Sequence, residues 1–396
     1  MSCDGSTPRR LDAIGQASSI AVNNHVYEMK AAGHDVITLS LGEAFFDLPS
    51  LAHPLSDGAD LHHYTHSRGV PLLREKLAAY YREQCRVPVD PEREIIVTAG
   101  SKAAIFMALF AVVEPGDEVL VLEPLWVSYP DQIRLAGGTP VAVPYDVPVD
   151  GLEDYVTART RAIVVNNPQN PSGRLMDMDE MRELHRLAET YGLTLIADEA
   201  YNEFVPLDHE FRSLGALDPE KKHTIVCNSM SKNYGISGWR VGYLIARPAL
   251  TDQILKLQQH VITCAPSVLC HFLAENFETL LAVTRPQILE AVSLRNRMRK
   301  TLSAAGVETL PGNSTFYLFA QVGDGYRSGE EFARDLLRQH SVSVVPGVGY
   351  GSSCADFIRI SVGTEPEARV VEGIDRIIAV ATHGEKGFGS SICSEQ

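Results

Sequence analysis

The sequence predicts an α/β fold. A large domain on a mostly parallel sheet, with helices on both faces, is followed by a smaller α+β domain. Three observations predict it. Short apolar runs alternate with helical patterns through the middle of the chain, as strand–helix–strand units require. After about residue 250 the character changes to a long helical stretch and then to a few short strands. At 396 residues the chain is too long for one small core.

Taken in order, residues 1–45 are expected to join the small domain or to close over the active site. The large domain is expected over 46–283 and the small one over 284–382. The tail 383–396, HGEKGFGSSICSEQ, is Gly/Ser-rich and expected to fray. Within the large domain EIIVTAG, DEVLVLEP, TPVAVPY, RAIVVNNP, LTLIADEA, HTIVCNS and VGYLIA read as buried strands. SKAAIFMALFAVV and DMDEMRELHRLAETYG read as helices between them. The later helical stretch is expected over roughly 250–303. STFYLFAQV, SVSVVPGVGYG and DFIRISVG then supply the strands of the small domain, with a helix near 328–340.

Composition narrows the function classes. The hydrophobic fraction, 45%, is that of an ordinary soluble globular protein. No apolar run approaches the about 18 residues of a membrane span. The start, MSCDGSTPRRLDAIG, has no signal-peptide core, so a cytoplasmic location is expected. Seven scattered cysteines argue against a disulfide framework, and no CxxC or Cys/His cluster has zinc spacing, so no metal is expected. His62 and His63 read as a solvated turn. A net charge of −15 disfavours nucleic acid or an anionic membrane as a partner.

Ligands of open α/β sheets sit beyond the carboxyl ends of the strands. Those ends carry Gly100-Ser101-Lys102, Trp126, Asn170, Asp198 with Tyr201, and Ser229 with Lys232. All fall on one rim, so they can converge. A helix opening after Gly100-Ser101 offers free N–H groups to a phosphate, and Ser229 and Arg240 can complete that site. A carboxylate at Asp198 can keep a pyridine nitrogen protonated. Trp126 can stack on the ring, and Asn170 and Tyr201 can hydrogen-bond a ring phenolate. Lys232 can form a Schiff base with an aldehyde. Together these describe pyridoxal 5′-phosphate (PLP). Taken singly, Asp198 reads as a solvated strand end or cap, Trp126 as core and Ser101 as an N-cap. The ordered set NNPQNPSG, ADEAY, SMSK and GWRVGY carries the reading.

That set, with GHDVITLSLGE, YTHSRGVPLLREKLA, VLEPLWVSYPDQIRLAGG and IRISVG, resembles the class I/II aminotransferase superfamily of fold type I PLP enzymes over roughly residues 25–380. The resemblance implies that Lys232 is the lysine that holds the cofactor and moves the proton. It implies that Asp198 pairs the ring nitrogen, Tyr201 and Asn170 hold the ring oxygen, and Trp126 stacks. Ser101, Lys102, Ser229 and Arg240 then surround the phosphate, and Arg359 clamps the substrate α-carboxylate. Tyr64 matches a tyrosine that reaches a neighbouring subunit's phosphate, which implies a homodimer with shared sites.

The reaction is less fixed. GEAFFDLP (Gly42 to Pro49) departs from the superfamily's GEPDFDTP, which lines the substrate pocket and here includes Gly42 and Glu43. His34 can be a proton-transfer group or merely a helix-end histidine. With GSKAAI and KKHTIVCNSMSKNYGISGWR, these segments resemble a small branch of O2- and PLP-dependent L-arginine oxidases and hydroxylases of natural-product pathways. The favoured expectation is therefore oxidation of L-arginine to 2-ketoarginine-type products, with C4 hydroxylation in some members. In that reading the N-terminal segment closes and carries His34 in. A guanidinium needs carboxylates, and Glu43 and Asp47 are the candidates. The alternative is a conventional aminotransferase; Lys102 resembles a lysine that meets a side-chain carboxylate in aspartate-using relatives. A PLP-binding regulator without turnover is the third.

Overall fold

The computed structural model describes residues 11–12, 14–49, 59–323 and 325–383. Most of the Gly/Ser-rich tail lies outside the described residues. Along the chain the elements are α1 (Ser18–Ala31), β1 (Ile37–Thr38), α2 (Pro71–Tyr80), β2 (Ile95–Thr98), α3 (Ser101–Val112), β3 (Glu118–Leu122), α4 (Tyr129–Ala136), β4 (Thr139–Val143), β5 (Thr160–Asn166), α5 (Met178–Tyr191), β6 (Thr194–Asp198), β7 (Thr224–Ser229), α6 (Met230–Asn233), β8 (Gly242–Ile245), α7 (Pro248–Val261), α8 (Ser267–Ala304), β9 (Tyr317–Gln321), α9 (Gly329–His340), β10 (Val342–Ser343), β11 (Val345–Pro346), β12 (Phe357–Ser361) and α10 (Glu367–His383).

Seven strands form one sheet in the order β2-β8-β7-β6-β5-β3-β4. Only β8 runs against the others; it pairs antiparallel with both β2 and β7. The six co-directional strands therefore end on the same edge. Their residues alternate between two cores, as a period of two demands. Ile163, Val165, Leu195 and Ala197 pack under α2, α5 and the first half of α8. Ala162, Val164, Ile196 and Cys227 pack under α3, α4 and α7. Burial on both faces is why these runs are continuously apolar. Helix α5 starts cleanly because Asp177 and Glu180 form a reciprocal capping box.

A second sheet, β11-β12-β9, is antiparallel and carries its own core with α9 and α10. The N-terminal segment joins it: β1 pairs in parallel with β10, and Ile37 and Leu39 are buried in that core. The single helical stretch expected over 250–303 is two helices. The chain breaks where Thr263 adopts φ 73° and Pro266 precedes α8. The expected domain boundary at 283/284 falls inside α8, a continuous 38-residue helix. Its buried side chains belong to the large core up to Leu281 and to the small one from Ile288. Among the described residues no helix is long and apolar enough to cross a membrane.

Candidate active site

Beyond the shared strand edge lies a cleft of about 490 Å³. It is lined by Gly42, Glu43, Ser101, Lys102, Trp126, Asn170, Asp198, Tyr201, Ser229, Lys232, Arg240 and Arg359. The topology thus brings together most of the side chains expected from sequence. Gly100 sits directly behind them as the residue before α3.

At one end the donors gather. Gly100 has φ +83°, and a Cβ there would lie 2.3 Å from the Arg240 guanidinium, so only glycine lets that side chain close on the start of α3. Arg240 itself holds a left-handed backbone, φ 56°, which disfavours a side chain and is maintained by the fold around it. Its Nη1 donates to the Ser237 carbonyl at 2.6 Å and to Ser231 Oγ at 3.4 Å. Ser229 Oγ accepts from the Ser231 N–H at 3.0 Å. Ser231 and Ser237 also line the cleft.

At the bottom, Asp198 ends β6 and is buried. Its Oδ2 accepts from Tyr129 Oη at 2.5 Å, and its Oδ1 accepts from the Ala200 N–H at 3.2 Å. Burial pushes this carboxyl up to about 6, against the pull of those two bonds and of Lys232. A cation placed beside it would restore the charged form. The next residue, Glu199, faces away and accepts from Ser213 Oγ and the Leu214 N–H.

Lys232 leaves the first turn after β7 and donates to the Gly42 carbonyl. Burial is the main cause that pulls its ammonium down to about 8; Glu43 opposes this, and Arg359 and Arg240 add to it. Its neutral, nucleophilic form therefore dominates above pH 8. The initial rate at which PLP is captured by the cofactor-free protein, trapped with borohydride, should climb as pH rises through about 8 and level off above it. A midpoint at the ordinary lysine value would show that Nζ is solvated.

Opposite, Arg359 on β12 is 3% exposed. Its Nη2 donates to the Ser40 carbonyl at 2.7 Å, and its Nη1 lies 3.5 Å from Asn170 Oδ1. The guanidinium carbon stands 4.6 Å from the Tyr317 ring centre and 5.5 Å from that of Tyr350. Among the described residues its buried Nε has no hydrogen-bond partner, although the Tyr350 ring stands beside the guanidinium. Tyr201 Oη receives Asn170 Nδ2 at 3.3 Å and meets Tyr317 Oη at 3.0 Å. Gly42 keeps this corner open, since a Cβ there would meet Tyr317 Oη at 3.1 Å. Lys102 lies 5.0 Å over the Trp126 ring.

Three expected residues are placed elsewhere. His34 is exposed in the turn after α1, with its N–H on the Met29 carbonyl. The cleft instead meets the start of α1 through Ala17, Ser19, Ile20 and Asn23. At 1.5 Å per residue the helix end at Ala31 lies about 12 Å beyond Asn23, and His34 follows in the turn after it. Asp47 is exposed, and its backbone exchanges hydrogen bonds with Gln287, outside the cleft. Tyr64 is 85% exposed and does not line the cleft of its own chain. Tyr129, Tyr317, Ser231 and Asn166 were not anticipated. Ser231 was signalled by the run of small polar residues in SMSK; Tyr129 and Tyr317 had no local signal.

The residues fit PLP. An anion cradle, a buried carboxylate, an indole, a phenol–amide pair and a buried amine line one cleft. The orphaned Nε of Arg359 and the absent Cβ atoms of Gly42 and Gly100 leave donors and space.

Known proteins agree. The pattern of the family described as aminotransferase class I and II matches residues 34–377. An aspartate aminotransferase of Pyrococcus abyssi is 32% identical over 93% of this chain and 96% of that protein. Aromatic-amino-acid aminotransferase 2 of Thermococcus litoralis is 30% identical over 89% of this chain and 93% of that protein. The structure of Thermus thermophilus aspartate aminotransferase with maleate superposes with TM-score 0.86 at 28% identity, covering 95% of this chain and 99% of that one. The chain belongs to the class I and II aminotransferase family, whose members work with pyridoxal 5′-phosphate.

Proposed function

We propose that this protein is an aminotransferase that exchanges amino groups between a dicarboxylic amino acid and a second 2-oxo acid. One observation carries the dicarboxylate part. Among the described residues the cleft is lined by four cations, Lys102, Lys232, Arg240 and Arg359, against two carboxylates, Glu43 and Asp198. With Arg240 assigned to phosphate and Arg359 to the α-carboxylate, Lys102 remains without a carboxylate partner among the described residues. Burial, then Arg240, pulls its ammonium down, which is the direction expected of a cation short of a counter-ion. A second substrate carboxylate would supply it. The names of the relatives, aspartate and aromatic aminotransferases, support the same reading.

Bound PLP supplies an aldehyde that takes up the amino group and a protonated ring that draws electrons from the bond being broken. The chain does the rest. Lys232 Nζ would take the proton from the substrate α-carbon and hold it for return on the other side of the substrate nitrogen. Asp198, held by Tyr129, would keep the ring nitrogen protonated. Tyr201 and Asn170 would hold the ring oxygen, while Ser101, Ser229 and Arg240 would fix the phosphate. Arg359 binds the α-carboxylate as a two-pronged fork. The start of α1 lines the cleft through Ala17, Ser19, Ile20 and Asn23. Tyr64, exposed and outside its own cleft, is available to a partner in the expected homodimer.

Arginine oxidation draws less support. A guanidinium entering this cleft meets cations, and among the described residues Glu43 is the one lining carboxylate not already assigned. His34 stands at the far end of α1. The deciding experiment offers L-aspartate, L-glutamate, L-phenylalanine or L-arginine to the PLP-loaded protein, with and without 2-oxoglutarate, in an oxygen electrode. Amino-group exchange without sustained O2 uptake is expected. Sustained uptake with L-arginine alone would instead establish the oxidase. Lys102→Ala should raise KM for the dicarboxylic substrates about tenfold, the worth of one charge-assisted hydrogen bond, and spare L-phenylalanine. Equal loss for both would remove Lys102 from specificity.

A further inference from the structure

We propose that Arg295 is a positioning residue: it ties the loop that carries Asn170 to the strand that carries Tyr317, and so sets the two side chains that flank Arg359. The kinetic part of its test rests on the aminotransferase reading above; the binding and spectral parts do not.

Arg295 lies on α8 and is completely buried. A buried guanidinium normally faces a carboxylate, because leaving its charge unpaired is costly. This one has none. Its Nε donates to the Tyr317 carbonyl at 2.8 Å, and its Nη2 donates to the Ser172 carbonyl at 2.8 Å. Its Nη1 donates to the Gly312 carbonyl at 2.5 Å and to Asn296 Oδ1 at 2.8 Å. Burial first, and the Arg299 guanidinium second, pull it down to about 9, so it remains a cation at neutral pH. An apolar side chain would fill this place without that penalty. What the guanidinium adds is direction: a rigid planar fork that reaches two chain segments at once.

Those segments touch backbone to backbone. The Asn313 and Ser314 N–H groups both donate to the Gly173 carbonyl, at 3.1 and 2.9 Å. A Cβ on Gly173 would lie 2.3 Å from the Ser314 carbonyl, and one on Gly312 would lie 2.5 Å from that of Ser172. The contact therefore tolerates no side chain, and Arg295 spans it from below. Asn170 is two residues from Ser172. Tyr317 offers its carbonyl to Arg295 and its ring and hydroxyl to Arg359 and Tyr201. Moving either segment moves a neighbour of Arg359.

Two variants test this in the PLP-loaded protein. Arg295→Lys keeps the charge and loses the fork. Asn296→Ala is milder, since Asn296 only steadies Nη1 and donates to the Asn313 carbonyl at 2.9 Å. Arg297→Ala, an exposed residue of the same helix paired with Glu367, is the control. The readouts are the Kd of succinate as an unreactive carboxylate probe, the pH midpoint of the cofactor absorbance, KM against kcat, and Tm. For Arg295→Lys, succinate Kd and substrate KM are expected to rise about tenfold, with kcat within about threefold and the midpoint shifted. Asn296→Ala should move the same quantities about two- to threefold, and Arg297→Ala none. A fall in Tm with Kd and midpoint unchanged in both variants would reduce Arg295 to a packing residue. If Arg295→Lys does not fold, Asn296→Ala decides by the same readouts. A wild type that binds PLP and succinate but exchanges no amino groups would overturn the function proposed above and leave this test intact.

Discussion

Lys232→Ala is expected to lower turnover by about 10⁴-fold or more, because one atom is removed from two duties, proton transfer and covalent capture. Among the described residues the neighbourhood offers no substitute. The other lysine of the cleft, Lys102, stands over Trp126 rather than at the Gly42 carbonyl where Lys232 donates. Arg240 and Arg359 are guanidinium groups that stay protonated. The variant should still bind PLP, since the phosphate cradle and Asp198 are untouched. Borohydride reduction followed by peptide mapping checks the assignment: the wild type should carry the cofactor on Lys232 and the variant on no lysine. A stoichiometric lysine adduct in the variant would show that the nucleophile lies elsewhere.

Arg359→Lys is expected to raise KM for every amino acid substrate by about 10²-fold, with a smaller effect on kcat. A lysine cannot reproduce the planar fork, and losing one charge-assisted bond while misplacing another costs about 3 kcal/mol. The site amplifies the loss, because Arg359 is wedged between the Tyr317 and Tyr350 rings. A lysine there would leave the Ser40 carbonyl, which now receives Nη2 at 2.7 Å, without its donor. Steady-state kinetics with two unrelated substrates is the measurement. An unchanged KM for both would sink the carboxylate assignment.

The large sheet was readable because its strands are buried on both faces and so appear as unbroken apolar runs. Their carboxyl ends named the cleft in advance, since Asn170, Asp198, Ser229 and Lys232 lie within a few residues of a strand end. What the sequence hid is what depends on long-range approach. Tyr129 reaches Asp198 across 69 positions, and Tyr201 meets Tyr317 across 116. Neither tyrosine differs locally from a core aromatic. His34 lies outside the cleft in this structure for the converse reason. Its segment does approach the cleft, but by the start of α1, and a helix carries its two ends to different places. Arg295 looked like one more polar residue in a helical pattern, because its partners are carbonyls, which no sequence motif marks.

Helix α8 has a mechanical consequence. Pro286 lies between Leu281, the last of its side chains in the large core, and Ile288, the first in the small one. A proline there leaves the Ala282 carbonyl without its helical donor, so the rod is most compliant at the junction of the two cores. Arg295 sits nine positions beyond, roughly 13 Å along the axis at 1.5 Å per residue. A bend of about ten degrees at the proline therefore swings Arg295 through about 2 Å, enough to stretch its hydrogen bonds to breaking. The molecule is a lever whose pivot lies beside its latch. While Arg295 grips Ser172, a tilt of the far half of the rod, together with the small core packed on it, is resisted close to its pivot.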